Sequence, residues 1–253
     1  MEALFSIITV TYNAEKELPF TVNSVKEQTY TGFEYLVIDG NSTDNTLKIA
    51  EKSGIPNTII ISEPDKGLYD AMNKGIKLAS GKYLIFLNAG DSFSSEETLD
   101  TISRKAIATN GDILYGQTRL VSSDRKVIGM RHLTAPEKLT FDSFRNGMLV
   151  CHQAFIVKRN LAPQYNLRYR FSADYEWCLK CLKKSDKNVY IKDIIIDYLT
   201  DGMTDKNHKK SLRERFDIMC KYYGTIPAGL KHILFIPRFI KEKYRRKTIE
   251  NNI

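Results

Sequence analysis

Four short runs rich in β-branched and aromatic residues, Phe5 to Thr11, Phe33 to Asp39, Thr58 to Ser62 and Tyr83 to Leu87, are each separated by a segment of helical periodicity. A helix between two strands returns the chain to the end where it started, so this alternation predicts a parallel sheet with helices on its faces. Each run is bounded by turn residues and is largely apolar rather than alternating, as expected for strands covered on both sides. The connecting helices are predicted over 19–28, 46–53 and 68–79, the last with Leu68, Met72, Ile76 and Ala79 on one stripe. Ser94 and Glu97 predict a capping box that opens a fourth helix, running to about Ala108.

After Asn110 the pattern changes. Strands are expected at Asp112 to Tyr115, Ala154 to Val157 and Val189 to Ile196, with a helix over 173–184. A hairpin is expected from Thr118 to Val121 and Lys126 to Met130, turning through Ser123 and Asp124. The fold class is therefore α/β, a Rossmann-like, mixed and mainly parallel sheet flanked by helices, with a C-terminal helical extension. Residues 1–223 are expected to form the domain and 224–253 a basic tail.

The composition excludes several classes. No apolar run approaches the roughly 20 residues that span a bilayer, and the chain enters its first strand without a basic leader, so a cytoplasmic location is expected. Cys151, Cys178, Cys181 and Cys220 are too few and too irregular for a disulfide framework, and the CxxC pair Cys178 and Cys181, inside a helical pattern, reads as buried thiols. The net charge is +8, with seven Lys or Arg against two Glu between Lys231 and Ile253. There Ile233, Leu234, Phe235, Ile236, Phe239 and Ile240 interleave with Arg238, Lys241, Lys243, Arg245, Arg246 and Lys247, a pattern that suits an anionic membrane surface. A solvated tail is the competing reading. Nucleic acid is not expected as a partner.

Asp39, Asp65 and Asp91 are spaced 26 residues apart, each following a predicted strand. In a parallel sheet such positions share the C-terminal edge, where open α/β sheets bind ligands. Convergent carboxylates repel unless something positive joins them, which points to a divalent metal with phosphates. Asp39 also opens DGNSTDNT, a turn and helix cap rich in hydrogen-bonding groups.

The segments SIITVTYN (Ser6 to Asn13), LVIDGNSTDNT (Leu36 to Thr46), SEPDKGLYDAMNKGI (Ser62 to Ile76) and ASGKYLIFLNAGD (Ala79 to Asp91) resemble the family 2 glycosyltransferases of the GT-A fold. CHQAFIVKR (Cys151 to Arg159) and FSADYEWCLK (Phe171 to Lys180) continue the likeness more weakly. The resemblance implies inverting transfer of a sugar from a nucleotide donor, expected to be a UDP-sugar, to a hydroxyl of a saccharide or lipid-linked saccharide. It implies that Thr11, Tyr12, Asn13 and Asp39 hold the nucleotide, with Asp65 and Asn88 near the donor. The metal-binding DxD motif falls on Asn88 to Asp91, where only Asp91 remains acidic, so Asp91 is the expected ligand of Mn²⁺ or Mg²⁺. His152 and Gln153 are expected on the acceptor side.

The resemblance makes Asp174 the candidate base; it lies in the first turn of a predicted helix, where the helix dipole favours the ionised carboxylate and burial acts the other way. Glu176 and Trp177 are expected to be structural, and the Gly202 loop with Lys206, His208, Lys209 and Lys210 is a candidate cover for the diphosphate. A non-catalytic sugar-nucleotide binding or scaffold protein of the same fold is the alternative function. A nicotinamide dehydrogenase is disfavoured because no GxGxxG follows the first strand.

Overall fold

The structure is a computed structural model and describes residues 3–200 and 208–231. Nine strands form one sheet in the order β3-β2-β1-β4-β8-β6-β9-β5, with β7 paired to β6. Strands β1 (Phe5–Thr11), β2 (Phe33–Asp39), β3 (Thr58–Ser62) and β4 (Tyr83–Phe86) are parallel and alternate with helices α1 (Leu18–Lys26), α2 (Thr46–Glu51) and α3 (Leu68–Leu78). Every residue of β1 and β2 is buried, which explains their unbroken apolar character. Strand β3, at the sheet edge, is only partly covered. Helix α3 packs on β1 and β2 at close range, since a Cβ on Gly75 would lie 2.6 Å from the Ile8 side chain.

The second half supplies β5 (Ser92–Phe93), α4 (Thr98–Thr109), β6 (Ile113–Val121), β7 (Val127–Met130), β8 (Phe155–Lys158), α5 (Ala173–Lys184), β9 (Asn188–Leu199) and α6 (His208–Tyr223). Strand β8 runs antiparallel to β4 and β6, and β9 runs parallel to β6, so the sheet is mixed as expected. The two strands expected over 112–121 are one. A register shift around Gly116 in the pairing with β9 explains why the sequence pattern broke there.

The capping box at Ser94 and Glu97 does not form. Ser92 and Phe93 pair with β9, the Ser94 hydroxyl donates to the Ile194 carbonyl, and α4 starts at Thr98 without a side-chain cap. Bonding to β9 thus takes Ser94 away from the helix start, and Glu97 becomes the residue that precedes α4.

Helix α6 is bonded to α5 and to the loop ahead of it. Glu214 accepts the backbone N–H groups of Arg170 and Phe171 at 2.9 and 2.8 Å, and Ser172 bonds Ser211. The fully buried Glu176 receives Lys221 at 2.7 Å and Lys180 at 3.0 Å. Residues 225–231 continue as helix, with Ala228 buried while Ile226 and Leu230 are exposed. Among the described residues, no helix is long and apolar enough to cross a membrane. The basic tail beyond residue 231, the Gly202 loop and Lys206 lie outside the described residues.

Candidate active site

Parallel register brings Thr11, Asp39 and Ser62 into one row at the C-terminal edge of β1, β2 and β3. Asp39, almost fully buried, accepts Thr11 Oγ1 at 2.9 Å, the Ser42 N–H at 2.9 Å, Ser62 Oγ at 2.7 Å and the Ser42 hydroxyl. Burial pushes its pKa up, but the bonds from Ser42, Ser62 and Thr11 outweigh it and hold the carboxyl below its usual value. Asn13 joins the same corner: its N–H donates to Ser42 Oγ at 2.8 Å and its Oδ1 accepts the Thr43 N–H at 2.9 Å. Tyr12 is 66% exposed, an unusual position for a tyrosine ring beside a buried edge. Its ring and the Asp65 carboxylate both close on the Gly40 backbone, and Asp65 accepts the Gly67 N–H at 2.7 Å.

Asp91 ends the loop after β4. The turn is closed by the Asp91 N–H on the Asn88 carbonyl at 2.9 Å and takes a positive φ of 97° at Gly90, which favours glycine. Thr21 of α1 clamps this loop, accepting the Gly90 N–H at 2.9 Å and donating to the Asp91 carbonyl at 2.7 Å. Arg125, from the β6–β7 turn, donates to the Gly90 carbonyl at 2.6 Å and to the Ser92 hydroxyl, its guanidinium lying over the Phe20 ring at 4.9 Å. The Asp91 carboxylate is 4% exposed and accepts Gln153 Nε2 at 2.7 Å and the Leu199 N–H at 3.0 Å. Burial raises its pKa to about 7 against the opposing pull of Leu199, Gln153 and the Arg125 charge.

Asp39, Asp65 and Asp91 therefore share an edge without forming a cage. Among the described residues no group of three His, Cys, Asp or Glu side chains is arranged to hold a metal. The physical reason is that each carboxylate has its own local donors. The residues still fit a cation of the kind held by one or two protein oxygens and completed by phosphate. Asp91 offers its carboxylate, and Asn88 Oδ1 is a buried oxygen with no hydrogen-bond partner.

Asp174 lies in the first turn of α5, partly exposed, with Oδ1 accepting the Tyr69 hydroxyl at 3.1 Å and the Tyr175 N–H at 2.8 Å. The turn Cys151-His152-Gln153 lies in electrostatic reach of both Asp174 and Asp91. Both carboxylates act on the buried Cys151 thiol, whose pKa is raised first by burial, while Gln153 bonds Asp91.

His152 was expected on the acceptor side; its ring is buried, meets Tyr165 Oη at 2.6 Å and packs on Phe86 and Trp177. Burial lowers its pKa to about 4 despite the nearby Asp174. Trp177 is core, its Nε1 donating to the Pro163 carbonyl at 2.7 Å. Cys178 and Cys181 are buried free thiols.

Thr21, Ser62, Tyr69, Arg125 and the Leu199 N–H all hold site residues and were not singled out from the sequence. Ser62 and Tyr69 lie inside the quoted SEPDKGLYDAMNKGI motif, so a signal existed for them. Thr21 and Arg125 carry none, being an ordinary helix residue and an ordinary hairpin residue until the fold brings them to the Asp91 loop.

A mixed, mainly parallel sheet with carboxylates along the C-terminal edge of its parallel strands is the architecture of the GT-A glycosyltransferases. The chain belongs to glycosyl transferase family 2, whose profile matches residues 6–164. It is 34% identical over 223 residues to the PGL/p-HBAD biosynthesis glycosyltransferase of Mycobacterium bovis, covering 83% of this chain and 84% of that one. It is 27% identical over 234 residues to the Escherichia coli UDP-Glc:alpha-D-GlcNAc-diphosphoundecaprenol beta-1,3-glucosyltransferase WfgD, covering 91% of each. Its fold matches the crystal structure of S. aureus TarS 1-349 in complex with UDP-GlcNAc, with a TM-score of 0.67 at 20% identity over 87% of this chain and 67% of that one. The protein is a glycosyltransferase.

Proposed function

We propose that this enzyme inverts the anomeric centre as it transfers a sugar from a UDP-sugar to a hydroxyl of a saccharide or lipid-linked saccharide. The observation that supports this best is that one short turn, Cys151-His152-Gln153, bonds Asp91 through Gln153 and lies in electrostatic reach of Asp174 in the first turn of α5. In this reading Tyr12 stacks on the base, and Asp39 with Thr11, Asn13 and Ser42 shapes the ribose corner, with Asp65 alongside. Asp174 takes the acceptor hydroxyl proton as that oxygen attacks opposite the departing diphosphate. Asp91 and Asn88 would hold a divalent cation, which would offset the charge developing on the diphosphate. Gln153 keeps Asp91 in place through the bond already described.

The acceptor class draws support from WfgD, whose acceptor is an undecaprenyl diphosphate-linked sugar. Exposed Ile226 and Leu230, directly ahead of the basic apolar segment, support contact with the membrane surface. The decisive assay is sugar transfer from a panel of UDP-, GDP- and dTDP-sugars with Mn²⁺ or Mg²⁺, following the anomeric configuration of the product by NMR. Full transfer by both Asp91→Ala and Asp174→Asn would refute the mechanism. Sedimentation with anionic liposomes, before and after deletion beyond Leu230, tests the membrane contact; equal binding would remove it.

A further inference from the structure

Tyr69 lies in the loop-and-helix motif DKGLYDAMNKGI and bonds Asp174, 105 residues further along the chain. Its ring is buried on α3 and stacked on Tyr165, with centroids 5.5 Å apart and planes at 25°. Tyr165 is itself fixed on its other contacts: it stacks on Trp177 at 5.1 Å and 12°, and its hydroxyl meets His152 Nε2 at 2.6 Å. A phenol held this way has little rotational freedom. Its hydroxyl donates to Asp174 Oδ1 at 3.1 Å, and the Tyr175 N–H donates to the same oxygen at 2.8 Å. Both donors thus act on Oδ1, and no described residue donates to Oδ2.

We propose that Tyr69 is a positioning residue for the transfer reaction, anchoring Asp174 by Oδ1 so that Oδ2 is the oxygen that receives the acceptor proton. This rests on the reading of Asp174 as the base. A free carboxylate turns about its terminal torsion over a broad, two-fold range, so an unanchored Asp174 would spend much of its time out of line with the acceptor hydroxyl. Toward the Asp174 carboxylate the phenol is the donor, because burial and the neighbouring Asp174 charge keep it protonated far above neutral pH. The other ionisable groups in electrostatic reach of the pair are Tyr165, which feels both, Arg215 of α6, which acts on Tyr69, and His152, Cys151 and Cys178, which feel Asp174.

The test is a double-mutant cycle on Tyr69→Phe and Asp174→Asn, read by kcat, by KM for each substrate and by the pH profile, with thermal melting as the folding control. Tyr69→Phe is expected to lower kcat about tenfold, with both KM values within about twofold, and to move the acidic limb of the profile to higher pH. In the Asp174→Asn background it is expected to change the residual rate no further. Tyr165→Phe, which spares the bond to Asp174, is expected to leave the limb in place. A wild-type profile for Tyr69→Phe beside a crippled Asp174→Asn overturns the positioning role and leaves Asp174 as base. Full activity of Asp174→Asn overturns both. Equal losses from Tyr69→Phe in the two backgrounds, or an equal limb shift in Tyr165→Phe, would also overturn it, since either means Tyr69 does not act through Asp174. If Tyr69→Phe does not fold, 3-fluorotyrosine at position 69, a stronger donor of the same shape, is expected to move the limb to lower pH; no movement overturns the proposal.

Discussion

Gln153 Nε2 donates to Asp91 Oδ2 across 2.7 Å, joining the turn before β8 to the loop after β4. These residues are 62 positions apart, and the bond is buried. A buried charged acceptor that loses its donor costs more than an average hydrogen bond, about 1.5 to 3 kcal/mol. Gln153→Ala is therefore expected to lower stability by that order in denaturant unfolding and to weaken divalent-metal dependence of transfer. Gln153→Glu, which sets a second carboxyl against Asp91, is expected to be the worse of the two at pH 8.

Asp91 itself makes stability pH-dependent. Its folded pKa of about 7 lies above the ordinary 3.8, so the folded state binds the extra proton between those values. The contribution is fully present below about pH 4 and is lost as the pH rises through 7. Without metal, Asp91→Asn is expected to gain stability relative to wild type across that range, by a few kcal/mol in order of magnitude. Chemical denaturation at pH 5 and pH 8 measures it; an unchanged difference between the two proteins would contradict the burial argument.

His152 has the opposite sense. Burial depresses its pKa to about 4, so its contribution is present above the ordinary 6.5 and is lost as the pH falls through 4. His152→Phe is expected to reduce the loss of melting temperature between pH 7 and pH 4.5 and to leave KM for the acceptor within about twofold, since the ring is enclosed by Phe86, Tyr165 and Trp177. A large rise in that KM would place His152 on the acceptor side.

Tyr12 separates binding from stability. Because its ring is exposed, Tyr12→Ala is expected to change unfolding free energy by no more than about 0.5 kcal/mol. Loss of base stacking is expected to weaken UDP binding by about 1 to 3 kcal/mol, measured by calorimetry. Thr11→Val, which takes a donor from the buried Asp39, is expected to lower stability as well.

Much of the fold was legible because hydrophobic pattern and turn chemistry are local. The first three strands begin and end where the sequence placed them, and α5 spans the predicted 173–184. Local signals failed where bonding to β9 overrode them, as at Ser94, and where a register shift hid one strand as two, as around Gly116.

The sequence by itself determined the alternating strands and helices, the family, and the carboxylates at the ends of strands, since periodicity and short motifs are written along the chain. Only the tertiary structure decided how those carboxylates are used. Ser62 reaches Asp39 through strand register, Gln153 and Leu199 enclose Asp91, and Tyr69 meets Asp174 across 105 residues of chain. Such partners are chosen by packing between distant segments, and burial, which raises Asp91 and lowers His152, exists only once those segments meet.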